Sequence, residues 1–313
     1  MKVLICYFTG TGNTRLCAQF LRNHFIEKEQ DVTLYEVEVG NDNIPDPNDY
    51  DLIGFGYPIH AFNTPGLFAS FIKRLPKVNN KKYFIFKVSG EPFSFNNASS
   101  HHIYRKLKRK GYELIMEKHY LMPYNIIFKY KDELQKQMYL YLDPLTKVMA
   151  IRLVNGEIDK IRYNPFHIFL SFLFRIEWLA PKINALFLHN KKKICTNCMM
   201  CVNNCPTKSL HVTRKGKIKT TTKCALCMRC SLNCPTKAIH MGIFQPWIVT
   251  GGFHYKKLVK DESNNGTYIN YQTKGYFKLF RKYYLKQNEL LRQYNIEIPV
   301  KYNEENKLEN LKK

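Results

Sequence analysis

A cysteine pattern that occurs twice limits the possible folds of this 313-residue chain more than any other feature. The order C-x2-C-x2-C-x3-C-P is found in residues 195–206 and again in residues 224–235, and these two runs hold eight of the ten cysteines. The other two, Cys6 and Cys17, stand alone near the start of the chain. Such clustering is typical of a cofactor-binding module, whereas a disulfide framework spreads its cysteines along a chain.

Each run is similar to the cysteine run of bacterial two-cluster ferredoxins, in which three close cysteines bind three irons of one [4Fe-4S] cluster. The fourth cysteine, redirected by the following proline, reaches the other cluster. The spacing therefore predicts two [4Fe-4S] clusters with crossed ligand sets. One set is Cys195, Cys198, Cys201 and Cys234, and the other is Cys224, Cys227, Cys230 and Cys205.

Zinc is the competing interpretation, because paired C-x2-C units also form four-cysteine zinc sites. A zinc ion needs only four ligands, so zinc explains neither the third cysteine of each run nor the paired Cys-Pro endings. Disulfides are disfavoured, because no secretory signal is visible and we therefore expect a reducing cytoplasm. Between the runs, residues 212–222 alternate as a hairpin would, and Leu210 and Ile239 can shield the clusters from water.

The N-terminal residues predict a phosphate-binding loop between a strand and a helix. Residues 2–8 form an apolar run, residues 9–14 read Thr-Gly-Thr-Gly-Asn-Thr, and apolar periodicity then continues through Phe25. Backbone N–H groups and hydroxyls at a helix N-terminus bind phosphate. The loop lacks both the Gly-Lys-Ser/Thr ending and the Gly-x-Gly-x-x-Gly fingerprint, so FMN is the favoured ligand and an ordinary glycine-rich turn is the alternative.

Two later loops, residues 57–65 and 89–97, follow predicted strands and should meet at the same sheet edge as the first loop. A flavin ring needs apolar walls and backbone groups there. No catalytic residue is predicted. The predicted FMN contacts are Thr9, Gly10, Thr11, Gly12, Asn13, Thr14, Tyr57, Pro58, Phe62, Ser89, Gly90 and Glu91.

The aromatic residues of these loops have a second interpretation as core residues. Tyr57, Phe62, Phe93 and Phe95 are candidate flavin walls, and core packing is expected for at least two of them. His60 is expected to be a hydrogen-bonded loop residue rather than a proton donor.

Residues 1–125 resemble a flavodoxin, whose FMN loop has the form Ser/Thr-x-Thr-Gly-Asn-Thr. The resemblance implies a doubly wound α/β fold with a five-stranded parallel sheet and helices on both faces, here with strands near residues 2–8, 32–37, 51–56, 83–88 and 113–119. A small α+β two-cluster ferredoxin domain would follow. The expected boundaries are an FMN domain at 1–128, a helical linker at 129–190, a ferredoxin domain at 191–243 and a C-terminal extension at 244–313.

A formal net charge of +24 is compatible with a nucleic-acid partner, but the distribution of the charges argues against one. The basic residues are spread along the chain without a nucleic-acid-binding motif, so we expect no nucleic acid but redox partner proteins with an acidic docking face. The most apolar stretch, residues 166–179, is too short to span a bilayer, which predicts a packed helix and no transmembrane segment. The sequence does not decide whether the chain forms a homodimer.

The whole order of domains resembles flavodoxin–ferredoxin fusion proteins of anaerobic bacteria. That resemblance implies electron transfer among two [4Fe-4S] clusters, FMN and a protein partner, because FMN handles one or two electrons and each cluster handles one. A flavin-dependent reductase of a small acceptor, such as a quinone or nitroaromatic, is the second hypothesis, with His60 and Tyr124 as its only proton-donor hints. A structural or sensing module with a degenerate flavin site is the third.

Overall fold

The computed structural model describes residues 1–249 and 251–300, and its first half is built on a parallel sheet of five strands. The strand order is β2-β1-β3-β4-β5, and every neighbouring pair is parallel. The predicted fold class and all five predicted strand positions are therefore confirmed. The strands are β1 (Lys2–Tyr7), β2 (Asp31–Glu36), β3 (Leu52–Pro58), β4 (Lys81–Ser89) and β5 (Tyr112–Leu121).

Helices cover both faces of this sheet. Helices α1 and α4 share one core with the later helix α10, and α2 and α3 belong to the core on the opposite face. Helix α4 lies in the stretch predicted as a linker, yet it packs along α1 and completes the α/β layer. The bounds are α1 (Asn13–Ile26), α2 (Gly66–Arg74), α3 (His101–Arg109) and α4 (Asp132–Val154).

The central strands are buried on both faces, which explains their nearly unbroken apolar sequences. Glycine is required where large rings cross them. A Cβ atom on Gly56 would lie 2.0 Å from the Phe86 ring, so the aromatic core between β3 and β4 depends on this glycine.

The stretch after α4 does not form the single packed helix that its apolar sequence predicts. It divides into α5 (Pro165–Leu173), a 3-10 turn at Phe174–Trp178, and α6 (Ala180–Ala185). Many of its apolar side chains are exposed. Across the described residues, no helix is long and apolar enough to cross a membrane.

The cysteine-rich module follows as a small α+β unit with an internal structural repeat. Strand β6 pairs with β9 and β7 pairs with β8, both antiparallel, and the β7–β8 pair agrees with the predicted hairpin. Helix α8 repeats α7, and β9 repeats β7, at the spacing that separates the two cysteine runs. The elements are β6 (Leu188–Asn190), α7 (Met200–Asn203), β7 (Leu210–Val212), β8 (Ile218–Thr220), α8 (Arg229–Leu232) and β9 (Ile239–Met241).

The C-terminal extension returns to the flavodoxin-like half. It contains α9 (Tyr255–Lys260) and α10 (Lys278–Gln293), and α10 packs on α4. The Tyr255 hydroxyl donates a 2.7 Å hydrogen bond to Asn13 Oδ1, so the extension contacts the predicted phosphate loop. The end of the extension, residues 301–313, lies outside the described residues.

Candidate functional site

The loop after β1 has the local geometry of an anion site. Gly12 adopts a left-handed φ of 105°, and its N–H donates to Thr9 Oγ1 over 3.0 Å as α1 begins at Asn13. The hydroxyl of Thr14 is buried and has no hydrogen-bond partner among the described residues. An unpartnered buried hydroxyl in the first turn of a helix fits a phosphate group, whose oxygens would accept its hydrogen bond.

A pocket of about 320 Å³ opens beside this loop at the carboxyl ends of the strands. This volume is within the usual range for small-molecule sites. Eight of the predicted FMN contacts line it, and these are Thr9, Gly10, Thr11, Asn13, Thr14, Pro58, Ser89 and Gly90.

Four predicted contacts lie elsewhere, and Tyr57 illustrates the reason. Its ring is fully buried and packs on Phe68, and its hydroxyl lies 3.4 Å from Ser99 Oγ, so Tyr57 is a core residue rather than a flavin wall. Gly12 shapes the phosphate loop without lining the pocket.

Phe62 and Glu91 also point away from the pocket. The Phe62 ring contacts Phe95 and Phe174 in an aromatic cluster beside α5. Because Phe95 belongs to this cluster and does not line the pocket, it is not a wall of the flavin site either. The Glu91 carboxylate accepts a hydrogen bond from the Tyr276 hydroxyl of the extension. The fourth candidate wall, Phe93, lies at a separate surface cleft.

Several lining residues were not predicted, because they come from distant parts of the chain. Glu177 comes from the 3-10 turn after α5, and Leu226 and Phe244 come from the cysteine module and its end. No local motif marks them, since only tertiary packing brings them to the pocket.

Three ionisable side chains in the pocket have displaced pKa values, and the first of them, Tyr124, has its pKa raised by burial and by the neighbouring Glu91. Burial raises the pKa of Glu177 to about 7, and burial lowers the pKa of His60 to about 4. At neutral pH, His60 is therefore neutral, and the Glu177 carboxyl stays protonated to a higher pH than an ordinary glutamate. Glu177 is the pocket group best suited to hold an exchangeable proton.

The cysteine module contacts the phosphate loop through main-chain atoms around Cys227. A Cβ atom on Gly10 would lie only 2.3 Å from the Cys227 carbonyl oxygen, so glycine permits this close approach. Asn125 Nδ2 donates to the same carbonyl over 3.4 Å. The module therefore sits directly against the FMN-type pocket.

Arg229 fixes this contact from the module side. Its guanidinium donates to the Thr9 and Gly10 carbonyls over 2.7 and 3.1 Å and forms ion pairs with Glu36 and Glu38 at 2.8 and 2.5 Å. The Arg229 side chain is only 9% exposed. This buried guanidinium with several charge-assisted hydrogen bonds holds the loop and the module in one arrangement.

The eight module cysteines form two groups that draw on both runs. One small cavity is lined by Cys195, Cys198, Cys201 and Cys234 together. In the other group, burial, together with the neighbouring Cys224 and Cys205, raises the pKa of Cys227 to about 12. Cys230 interacts most strongly with Cys227, Cys224 and Cys205, and less strongly with Cys201 of the first group. Each group takes cysteines from both runs, and the assignment of the two ligand sets stays a prediction.

Backbone N–H groups are directed at the cysteine sulfurs. The Leu226 N–H donates to Cys224 Sγ over 3.4 Å, and the Ala238 N–H donates to Cys234 Sγ over 3.2 Å. Both repeats use non-glycine residues with left-handed φ at equivalent positions, which turns successive N–H groups inward. These residues are Asn197, Met199 and Lys208 in the first repeat and Leu226, Met228 and Lys237 in the second.

The sheet order and the pocket at its carboxyl edge define the class of doubly wound, flavodoxin-like α/β proteins. A family model described as "Flavodoxin domain" matches residues 4–171. The chain therefore belongs to the flavodoxin domain family, a class of flavin-binding redox proteins. The match continues past the predicted boundary at residue 128 and includes α4.

Solved structures with a similar fold include several flavodoxins. The chain is 15% identical to oxidised flavodoxin 1 of Bacillus cereus, with 50% of this chain and 98% of that chain covered at a TM-score of 0.37. It is 23% identical to two-electron reduced flavodoxin of Megasphaera elsdenii, with 37% of this chain and 84% of that chain covered at a TM-score of 0.31. No curated protein matches the chain.

Proposed function

We propose that this chain is an iron-sulfur flavoprotein that carries electrons between two [4Fe-4S] clusters, FMN and a protein redox partner. The observation that carries the proposal is the contact between the Cys227 main chain and Gly10, which joins the cysteine module to the wall of the flavin-type pocket. When bound, FMN exchanges one or two electrons and each cluster exchanges one.

The flavin part rests on the phosphate loop and its family membership. Thr9, Thr11 and Thr14 supply hydroxyls at the N-terminus of α1, and the Thr14 hydroxyl lacks a partner in the described chain. These residues would bind the FMN phosphate. The apolar pocket wall, which includes Val88 and Met122, would exclude water from the ring.

The iron-sulfur part rests on the number and arrangement of the cysteines. A single zinc ion needs only four ligands, so zinc leaves the third cysteine of each run and the paired Cys-Pro endings unexplained. Eight cysteines in two runs of four, with N–H groups directed at sulfur, fit two four-iron clusters better.

The ligand set that includes Cys198 is the proposed docking side for the partner. Cys198 is exposed, whereas Cys227 of the other set is buried against the phosphate loop. Three exposed lysines at residues 191–193 precede the first cysteine run. They would attract a partner protein with an acidic face, in the reducing cytoplasm that we propose as the compartment.

Cofactor quantification tests this function directly. After anaerobic purification of the full chain, we expect about eight irons, eight sulfides and one FMN per chain, with the visible spectrum of both cofactor types. Stoichiometric zinc without iron would contradict the cluster assignment. Eight irons without flavin would support the cluster assignment but contradict the assignment of FMN to the pocket.

Glu177 favours a second candidate, a flavin-dependent reductase of a small acceptor such as a quinone. Its carboxyl group lines the pocket and, with a pKa raised by burial to about 7, can donate a proton to an acceptor oxygen.

The variant E177Q tests this candidate by its pH profile. If Glu177 is the acid, wild-type quinone reduction should fall as pH rises through about 7, because the protonated carboxyl is lost. E177Q should be about 100-fold slower at pH 6 and lack this dependence. The control Y124F should keep the wild-type profile. An unchanged profile in E177Q would leave the carrier as the function.

A further inference from the structure

The segment from α5 through α6 presents an exposed apolar face that the cofactor sites do not explain. Its side chains are well exposed, with values of 61% for Phe172, 72% for Ile176 and 74% for Leu186. A soluble surface rarely collects so many large apolar groups. This apolar face consists of Phe166, Phe169, Phe172, Leu173, Phe174, Ile176, Leu179, Ile183, Leu186 and Phe187.

The opposite side of the segment is attached to the α/β body. Ser171 is buried, its hydroxyl donates to Asn63 Oδ1 over 2.8 Å, and Asn63 Nδ2 donates to the Ser171 carbonyl over 2.8 Å. Helix α5 is therefore held in one orientation, and its apolar side chains face outward because its polar anchor faces inward.

A basic pocket of about 350 Å³ adjoins the apolar face. It is lined by Arg105 and His102 of α3 and by Phe169, Phe172 and Arg175 of the segment, together with three others. The Arg175 guanidinium lies 5.6 Å from the centroid of the Phe172 ring, and its buried Nε has no hydrogen-bond partner among the described residues.

The electrostatics of this pocket favour an anion. Burial, together with the nearby positive charges of Lys106 and Arg175, lowers the pKa of His102 to about 4. The pocket lining contains no carboxylate in the part of the chain that the structure describes. Between residues 160 and 193, the sequence has seven Lys or Arg residues and one acidic residue, Glu177.

We propose that the apolar face docks on a bilayer surface that contains anionic phospholipids, with a headgroup phosphate in the Arg105–Arg175 pocket. Amphipathic segments with aromatic and aliphatic groups on one side and basic groups beside them bind in this way without spanning the membrane. The proposal does not depend on bound FMN or clusters.

Charge distinguishes a bilayer from a second copy of the chain. If two copies met symmetrically through the apolar face, the Arg105–Arg175 pockets would be brought near one another without a carboxylate to pair with them. An anionic surface instead complements both the apolar and the basic parts.

Vesicle sedimentation of the full chain tests the proposal. We expect binding to phosphatidylglycerol–phosphatidylcholine vesicles and weak binding to pure phosphatidylcholine. F169S/F172S should weaken binding at least about tenfold through lost apolar burial, and R105Q/R175Q about tenfold to thirtyfold through two lost charges.

Matched variants on the other face of the sheet serve as controls. I26S/L279S removes two exposed apolar groups and R22Q/K28Q removes two exposed charges, and both should bind vesicles as wild type does. Equal binding by all variants, or no preference for phosphatidylglycerol, would overturn the proposal. A different pair of results would also overturn it. In that case the wild-type chain would not bind vesicles, and sedimentation velocity would show a dimer that F169S/F172S dissociates.

Discussion

Removing Cys201 and Cys234 together should leave one intact four-iron cluster, whereas removing Cys205 and Cys234 should leave none. The reason is the crossed grouping, in which Cys201 and Cys234 line the same cavity while Cys205 neighbours Cys224 and Cys227. C201A/C234A damages a single ligand set, and C205A/C234A damages both. The two double variants differ in effect although each removes two thiols.

Iron and sulfide analysis and the EPR signal of the reduced protein measure this difference. C201A/C234A should retain about four irons and the signal of one reduced [4Fe-4S] cluster, and C205A/C234A should retain no intact cluster. The control C17A removes a buried cysteine outside the module and should keep about eight irons. If each run bound its own cluster, C201A/C205A would instead be the variant that keeps one.

The parts of the site that follow from sequence are those that one short segment builds. The phosphate loop combines a strand end, a left-handed glycine and a helix start within a few residues, and its spacing alone predicts the geometry around Gly12. The cysteine sets are predictable for a similar reason, because repeated spacing and a following proline determine which sulfurs can meet.

The parts that sequence does not reveal depend on packing between distant segments. Tyr57 is the last residue but one of β3, next to the pocket-lining Pro58, but its ring packs in the core against Phe68. In the sequence, nothing distinguishes Arg229 from the other arginines of this basic chain. Its role depends on the contact between the module and the phosphate loop, where it donates to the Thr9 carbonyl. The apolar run at residues 166–179 has the composition of a buried helix, and only the fold shows which side is anchored through Ser171.

Substitution of Lys87 by methionine should destabilise the α/β body by about 3–5 kcal/mol. Lys87 Nζ lies 2.6 Å from Glu117 Oε1 between β4 and β5, and both side chains are 0% exposed. Lys87 also donates to the Asn97 carbonyl over 2.9 Å, and Glu117 accepts from the Tyr163 hydroxyl over 3.0 Å. K87M would leave the Glu117 carboxylate buried without its counter-ion, which is the main cost.

The urea-unfolding midpoint, followed by far-UV circular dichroism and flavin fluorescence, measures this effect. K82M removes an exposed lysine from the same strand and should change stability by less than about 0.5 kcal/mol. The double variant K87M/E117L should be more stable than K87M, since replacing both charges leaves no buried ion unpaired. A K87M midpoint equal to that of wild type would contradict the stabilising role of the Lys87–Glu117 ion pair.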